Sequence, residues 1–145
     1  MERYRILDHT ADGKFRAFGE TLGEAFANAA LACASLMWDW EKVGRRVAHA
    51  VEIHGRDVEQ LLYKFLEELL YLLDTRAFLL GGVEDLKIVE VERDPETGFR
   101  LTARFVGDEG LDRIEIHGSV KAVTYHEMKI EHRCGPWVVQ AVVDM

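Results

Sequence analysis

Two acidic segments at opposite ends of the chain hold the residues best suited to chemistry. Near the start, Asp8 and Asp12 flank His9, and at the end Asp144 precedes Met145. The ends of a folded chain often lie close together, so we expect these segments to meet. Four carboxylates would then gather at one place, if the terminal carboxylate of Met145 is counted. Such a cluster requires protons or a cation to neutralise it.

The spacing of these acidic residues restricts how they could bind a cation. In an extended strand, Asp8 and Asp12 stand roughly 13 Å apart, at about 3.3 Å per residue. They share one ion only if the chain turns between them or if the segment with Asp144 reaches in. Oxygen ligands of this kind suit a hard cation such as Ca²⁺ or Mg²⁺. Spacing alone favours a second interpretation, in which Asp8 and Asp12 cap a loop and Asp144 belongs to a solvated tail.

The remaining residues give little support to a standalone enzyme. His126 follows a dense strand-like run and is a candidate functional residue, with a packed or surface role as the alternative. The sequence contains no metal-binding H-E-x-x-H, no P-loop, no G-x-S-x-G and no Rossmann glycine pattern. Cys33 and Cys134 lack the spacing of a zinc site or a redox pair. Cys33 is expected to be a small buried hydrophobe.

Composition restricts the class of protein further. The 145 residues fit one domain, 1–145, and 48% of them are hydrophobic. The net charge of −8 disfavours tight, direct binding of nucleic acid, which needs a basic surface. Two basic pairs are interpreted as solvated surface charge: Arg45 with Arg46, and Arg100 with Arg104. With no membrane span and no signal-peptide core, a cytoplasmic protein without a membrane partner is expected.

Two helices are predicted from apolar periodicity and capping residues. The first opens at Thr21, with Glu24 completing a capping box, and its apolar stripe runs to Leu36. The second begins at Asp57, with Gln60 three residues on, and its apolar face runs to Leu73. That face is broad enough to fill the core, with a partner surface as the alternative.

The rest of the chain is predicted to form strands joined by short turns. Alternating apolar and polar residues predict a strand over 99–105, the pattern of a half-buried sheet. Further strands are predicted over 47–53, 86–92, 114–117, 120–130 and 137–143, with turns at 81–82, 94–98 and 107–110. The predicted fold is a single α+β domain, mainly an antiparallel meander covered by two amphipathic helices.

Several motifs resemble those of the archease family, and the likeness runs essentially end to end. They are DHTAD at 8–12, T-L-x-E-A-F-x-N-A-A at 21–30, L-L-x-x-F-L-E-E-L-L-Y-L at 61–72, K-A-V-T-Y-H at 121–126 and the terminal V-D-M. The resemblance implies a non-catalytic protein cofactor of the RtcB-type RNA ligase, which joins tRNA halves during splicing. Such proteins promote guanylylation of the ligase and allow it to turn over repeatedly. The resemblance also implies an alternative role, as a chaperone-like modulator of a tRNA cytosine methyltransferase.

The same resemblance implies a Ca²⁺ site, with Mg²⁺ or Mn²⁺ as other possible ions. Carried over by position, its ligands are Asp12, Asp144 and Met145, the last through a backbone or terminal oxygen. Asp8, His9 and His126 also match family motifs and are expected to support the metal site or the contact with the ligase.

The chain departs from the family pattern in two places. Gly13 stands where many members have an apolar residue, and the segment 114–119 looks shorter than the usual H-P-x-G-T-E-V. Both changes leave the carboxylates in place and affect only the expected geometry of the neighbouring loops.

Overall fold

The computed structural model describes residues 1–8, 12–91, 98–112, 114–132 and 134–145. Its helices are α1 (Leu22–Ser35), α2 (Val58–Arg76) and a short 3₁₀ helix (Trp40–Lys42). Its strands are β1 (Tyr4–Leu7), β2 (Asp12–Gly19), β3 (Val47–Gly55), β4 (Phe78–Glu90), β5 (Phe99–Glu109), β6 (Ala122–Val123), β7 (Lys129–His132) and β8 (Trp137–Asp144).

Both helices begin at the caps that the sequence predicts. The hydroxyl of Thr21 accepts a hydrogen bond from the Glu24 amide at 3.1 Å, which satisfies a free donor of the first turn of α1. In α2 the capping is reciprocal, because Asp57 Oδ1 accepts from the Gln60 amide at 2.7 Å while Gln60 Oε1 accepts from the Arg56 amide at 2.9 Å. α2 ends at Ala77, whose left-handed backbone, with φ of 51°, closes the last turn.

The described strands form two antiparallel sheets. In the larger sheet the order is β1-β2-β8, and both β6 and β7 pair with the other side of β8. The smaller sheet has the order β3-β5-β4. The central pair β2-β8 therefore joins the first part of the chain to the last.

The helices occupy the layer between the two sheets. α1 contacts β2 and β8 of the larger sheet and β4 of the smaller one, while α2 contacts β3, β4 and β5 on one side and β6 and β7 on the other. α1 is consequently buried on nearly all sides, as expected for a helix that is apolar all round. Its many alanines allow this close approach. The α+β class is confirmed, and the helices pack against both sheets.

Two turns predicted at glycines are wrong. The predicted turn at Gly81-Gly82 lies inside β4, where the register shifts at a bulge between Leu80 and Gly82. The predicted turn at 107–110 lies mostly within β5, which continues to Glu109. A Cβ at Gly107 would collide with the backbone oxygen of Leu79, so this glycine allows a close approach between strands.

The C-terminal third also differs from prediction. The residues of 114–117 form no strand, although they alternate in polarity. The run 120–130 is interrupted by a turn, closed by a bond from the Met128 amide to the Tyr125 carbonyl at 3.2 Å, and Glu127 there has a φ of 53°. β6 and β7 are the two strands on either side of this turn.

The strand predicted over 86–92 is part of β4, which ends at Glu90. Most of the predicted turn at 94–98 lies outside the described residues.

The two cysteines should differ sharply in reactivity. Cys33 is fully buried in α1, and burial raises the pKa of its thiol to about 12, while Cys134 is exposed. Because the thiolate is the reactive form, we expect a thiol reagent at pH 8 to label one cysteine in the native protein and two in guanidinium chloride. Rapid labelling of both cysteines in the native state would contradict this packing.

Among the described residues, no helix is both long enough and apolar enough to cross a membrane.

Candidate functional site

The two acidic segments meet in the larger sheet. β2 and β8 pair antiparallel from Gly19 opposite Trp137 to Asp12 opposite Asp144. The last pair of this ladder is therefore the pair of aspartates. The expectation that the two ends of the chain lie side by side is confirmed.

The two carboxylates project from the same face of the sheet. Their inner neighbours, Gly13 and Val143, are also paired and face the core, where a Cβ on Gly13 would lie 3.1 Å from Val143 Cγ2. Because side chains alternate along a strand, Asp12 and Asp144 face solvent, and directly opposed residues have Cβ atoms about 5 Å apart. Asp12 is half-buried and Asp144 exposed. Like charges placed in this way repel, so a cation between them is stabilising.

Met145 anchors this end of β8 from the inner side. Its side chain packs against the core, and its Sδ and Cε atoms lie close to Gly13 and Gly118. The backbone oxygen of Asp144 accepts a hydrogen bond from the Lys121 amide at 2.7 Å. The last two residues are thus held by this hydrogen bond on one side and by the packed Met145 side chain on the other.

Gly13 and the segment 114–119 belong to one packed contact behind the aspartates. A Cβ on Gly13 would lie 2.7 Å from Leu36 Cδ1 and 3.0 Å from Met145 Sδ, so these two side chains fill the space of the missing apolar residue. The short segment 114–119 is tied to the end of α1, where the His117 amide donates to the Met37 carbonyl at 2.9 Å. Gly118 packs there against the backbone oxygen of Leu36.

Alanine at Gly118 should disturb this contact. The added Cβ would collide with the Leu36 backbone oxygen and approach Met145 Cε to 3.3 Å, and backbone cannot move aside as a flexible side chain can. We expect the free energy of unfolding to fall by about 1–3 kcal/mol, as for other overpacked sites. Chemical denaturation measures this, and Gly44→Ala is the control, since its nearest neighbour, Asp108 Oδ2, is 3.4 Å away. Equal stability of the two variants would contradict the packing described.

The remaining residues of the first motif lie partly outside the described residues. β1 and β2 pair antiparallel up to Leu7 opposite Lys14, so the chain reverses direction between Leu7 and Asp12. Asp8 is exposed directly after β1, and His9 lies outside the described residues.

His126 lies in the turn between β6 and β7, and β6 pairs with the end of β8 at Asp144. Its amide donates to Thr124 Oγ1 at 3.2 Å, and that hydroxyl donates to the Val142 carbonyl at 2.7 Å. The ring is exposed, with Nε2 3.8 Å from Glu127 Oε2. The hydrogen bonds of Thr124 thus hold the turn with His126 against Val142, two residues before Asp144.

Sequence reasoning missed a lysine and a glutamate that lie beside this pair. Lys14 is two residues from Asp12 on the same face of β2, and its Nζ is 3.4 Å from Glu127 Oε2. Gln140, buried in β8, donates to the Glu127 carbonyl at 2.7 Å and accepts from Arg16 Nε at 2.8 Å. These contacts tie the turn that carries His126 to both central strands. The one sequence signal for this arrangement is the two-residue spacing of Asp12 and Lys14, which places both side chains on the same face of a strand.

The donor atoms at this site are of the type that a hard cation prefers, but they are fewer than such an ion needs. Asp12, Asp144 and the backbone oxygen atoms of Met145 are all oxygen donors, the type that Ca²⁺ and Mg²⁺ prefer. Over the described ranges, no three His, Cys, Asp or Glu side chains lie close enough together to hold a metal ion. These residues alone therefore provide two carboxylates and main-chain oxygens, and the six to eight oxygens that Ca²⁺ takes require water or further groups.

This fold, with two helices between antiparallel sheets, is shared by a solved structure. The solution structure of Methanobacterium thermoautotrophicum protein 1598 superposes with a TM-score of 0.81 at 35% sequence identity, covering 100% of both chains.

Sequence comparison identifies the family. The model of the Archease protein family (MTH1598/TM1083) matches residues 4–145. Protein archease of Pyrobaculum calidifontis is 42% identical over 146 residues, 98% of this chain and 95% of that protein. Protein archease of Thermococcus gammatolerans is 41% identical over 147 residues, with complete coverage of both. The chain belongs to the archease family.

Proposed function

We propose that this protein is a non-catalytic activator of an RtcB-type RNA ligase in tRNA splicing, acting through a divalent cation bound by Asp12, Asp144 and Met145. The observation that carries the proposal is the direct cross-strand pairing of Asp12 with Asp144. Two opposed carboxylates at the solvent-facing end of the β2-β8 ladder repel each other, and a cation between them relieves this repulsion. They are suited to present a cation to a partner rather than to enclose one.

The cation, when bound, neutralises phosphate charge, which is the main requirement of phosphoryl transfer. The protein's own residues position that site. Asp144 is held by the Lys121 amide and by the packed side chain of Met145, while Asp12 is held by its pairing in β2. Such rigidity matters because misplacement by about 1 Å is costly in catalysis.

Lys14 and His126 are proposed to support this site rather than to bind the ion. The ion pair of Lys14 with Glu127 holds the turn that carries His126 against β2, on the face from which Asp12 extends. His126 has an exposed imidazole and is proposed to contact the ligase. Asp8, which is exposed directly after β1, and His9 are proposed as further contacts.

The test is RNA ligation by the cognate ligase with substrate in excess, with and without this protein. The proposal predicts many turnovers only when the protein is present. A ligase that is competent for one turnover but gains nothing from the protein would contradict the proposal. In that case the alternative role predicts that a purified tRNA cytosine methyltransferase changes its site choice or oligomeric state when the protein is added.

A further inference from the structure

The outer edge of β3 is a long strand edge with unused hydrogen-bonding capacity. β3 pairs with β5 residue for residue, from Val47 opposite Gly107 to Gly55 opposite Phe99, without a bulge. On its other side, no described residue makes a backbone hydrogen bond to it. The Lys64 ammonium covers one position by donating to the His54 carbonyl at 3.0 Å. Proteins usually protect such edges with prolines, bulges or shortening, and β3 has none of these.

A groove runs between this edge and α2. Its volume is about 440 Å³, and it is lined by Ile53, Lys64, Glu67, Glu68 and Tyr71. The α2 residues recur three and four positions apart, so they form one face of the helix. Ile53 gives the groove an apolar floor, and Tyr71, a residue that is 60% exposed, gives it an aromatic wall.

The groove is acidic on balance, because Glu67 and Glu68 outnumber Lys64, whose ammonium donates to the His54 carbonyl. Neither Glu67 nor Glu68 forms a hydrogen bond or ion pair with any residue that the structure describes. Partial burial raises the pKa of the Glu68 carboxyl, an effect that His49 opposes. A partly dehydrated carboxylate gains more from an incoming cation than a fully solvated one does. The groove therefore complements a Lys or Arg side chain whose aliphatic stem can lie on Ile53 and Tyr71.

We propose that the β3 edge and this groove are the docking site for an extended, basic segment of a partner protein. The segment adds a fourth strand to the smaller sheet through main-chain hydrogen bonds, while the groove selects a basic side chain, as in other cases of strand addition. This surface is formed by β3 and α2, whereas the paired aspartates lie on β2 and β8. The inference goes beyond the proposed function and does not depend on it.

A second copy of this chain fits the edge less well than a basic segment does. Pairing of β3 with itself would bring together two subunits that each carry a net charge of −8, with Glu67 and Glu68 of both near the contact. Such self-repulsion opposes association. Charge complementarity therefore favours a basic partner.

The experiment uses a blocked nonapeptide of alternating lysine and threonine, matched to the nine residues of β3. Amide hydrogen exchange and calorimetry are measured on the full chain. We expect slower exchange over 47–55 with unchanged exchange in β1, and no such effect from the peptide with glutamate in place of lysine. The double variant Glu67→Gln/Glu68→Gln should weaken binding at least about tenfold.

The control variant Glu59→Gln/Asp74→Asn removes the same charge from exposed positions of α2 outside the groove, and it should bind the peptide like the wild type. Equal weakening in both double variants, or no slowing of exchange in β3, would overturn the proposal. If the amides of β3 exchange slowly without peptide and the protein sediments as a dimer, the edge is occupied by a second copy of the chain. That result would also overturn the proposal.

Discussion

Asparagine at Asp144 is expected to abolish stimulation of the ligase while leaving the fold intact. The substitution keeps the size of the side chain but removes one of the two opposed charges, so affinity for Ca²⁺ should fall at least about tenfold. Without metal, the variant should be as stable as the wild type or slightly more stable, because the cross-strand repulsion with Asp12 is relieved. Calorimetric titration with Ca²⁺, thermal unfolding and multiple-turnover ligation measure these three quantities.

The matched control for this variant is Glu131→Gln. Glu131 lies on β7, which pairs with the other side of β8, and it is exposed. It carries the same charge on the same sheet but lies away from the aspartate pair. Glu131→Gln should keep full Ca²⁺ affinity and full stimulation. Full stimulation by Asp144→Asn, or equal loss in both variants, would show that the carboxylate pair is not the functional site.

Alanine at Phe65 should give a large loss of stability. The ring is fully buried and lies between Phe26 of α1, at 6.0 Å between ring centroids, and Phe105 of β5, at 5.3 Å. Removing it leaves a cavity where α2 meets both the other helix and the smaller sheet. We expect the free energy of unfolding to fall by about 3–5 kcal/mol, measured by denaturant titration.

Tyr71→Ala is the comparison for that variant, because Tyr71 lies on the same helix but is exposed. Its substitution should change stability by no more than about 0.5 kcal/mol. A loss below about 1.5 kcal/mol for Phe65→Ala would mean that α2 is not packed between the sheets as described.

The helices were predictable from the sequence because their signals are local. Thr21 and Asp57 cap the turns that follow them, and the apolar stripes mark the buried faces. The position of α1 between two sheets was not predictable. Alternation identifies a strand and its buried face, but it does not specify the partner strand. The pairing of β2 with β8 joins residues more than a hundred positions apart, and no local pattern encodes it.

The turns predicted at glycines were wrong because glycine occurs both in turns and in strands that bulge or approach another strand closely. Gly81, Gly82 and Gly107 were predicted to make turns, yet they lie in strands that bulge or approach closely. Such close approach depends on the neighbouring strand, which the local sequence does not reveal.

The candidate site was predictable only in part. The aspartates stand out as acidic groups at the two ends, and the resemblance to a known family singled out Asp12, Asp144 and Met145. Their role as metal ligands stays a prediction. The ion pair of Lys14 with Glu127 was missed because 120–130 looked like one uninterrupted strand, whereas a turn brings Glu127 back towards β2.

The most direct test of the proposed function is the rate at which the cognate ligase is guanylylated by radiolabelled GTP. It is measured in a single turnover, with the protein supplied as its Ca²⁺-loaded form, as a chelator-treated form and as Asp144→Asn. We predict that only the Ca²⁺-loaded wild type accelerates formation of the ligase–GMP adduct, and that returning Ca²⁺ restores the chelated wild type but not the variant. Equal acceleration by all three forms would contradict the account, because the opposed aspartates and their cation would then have no part in activating the ligase.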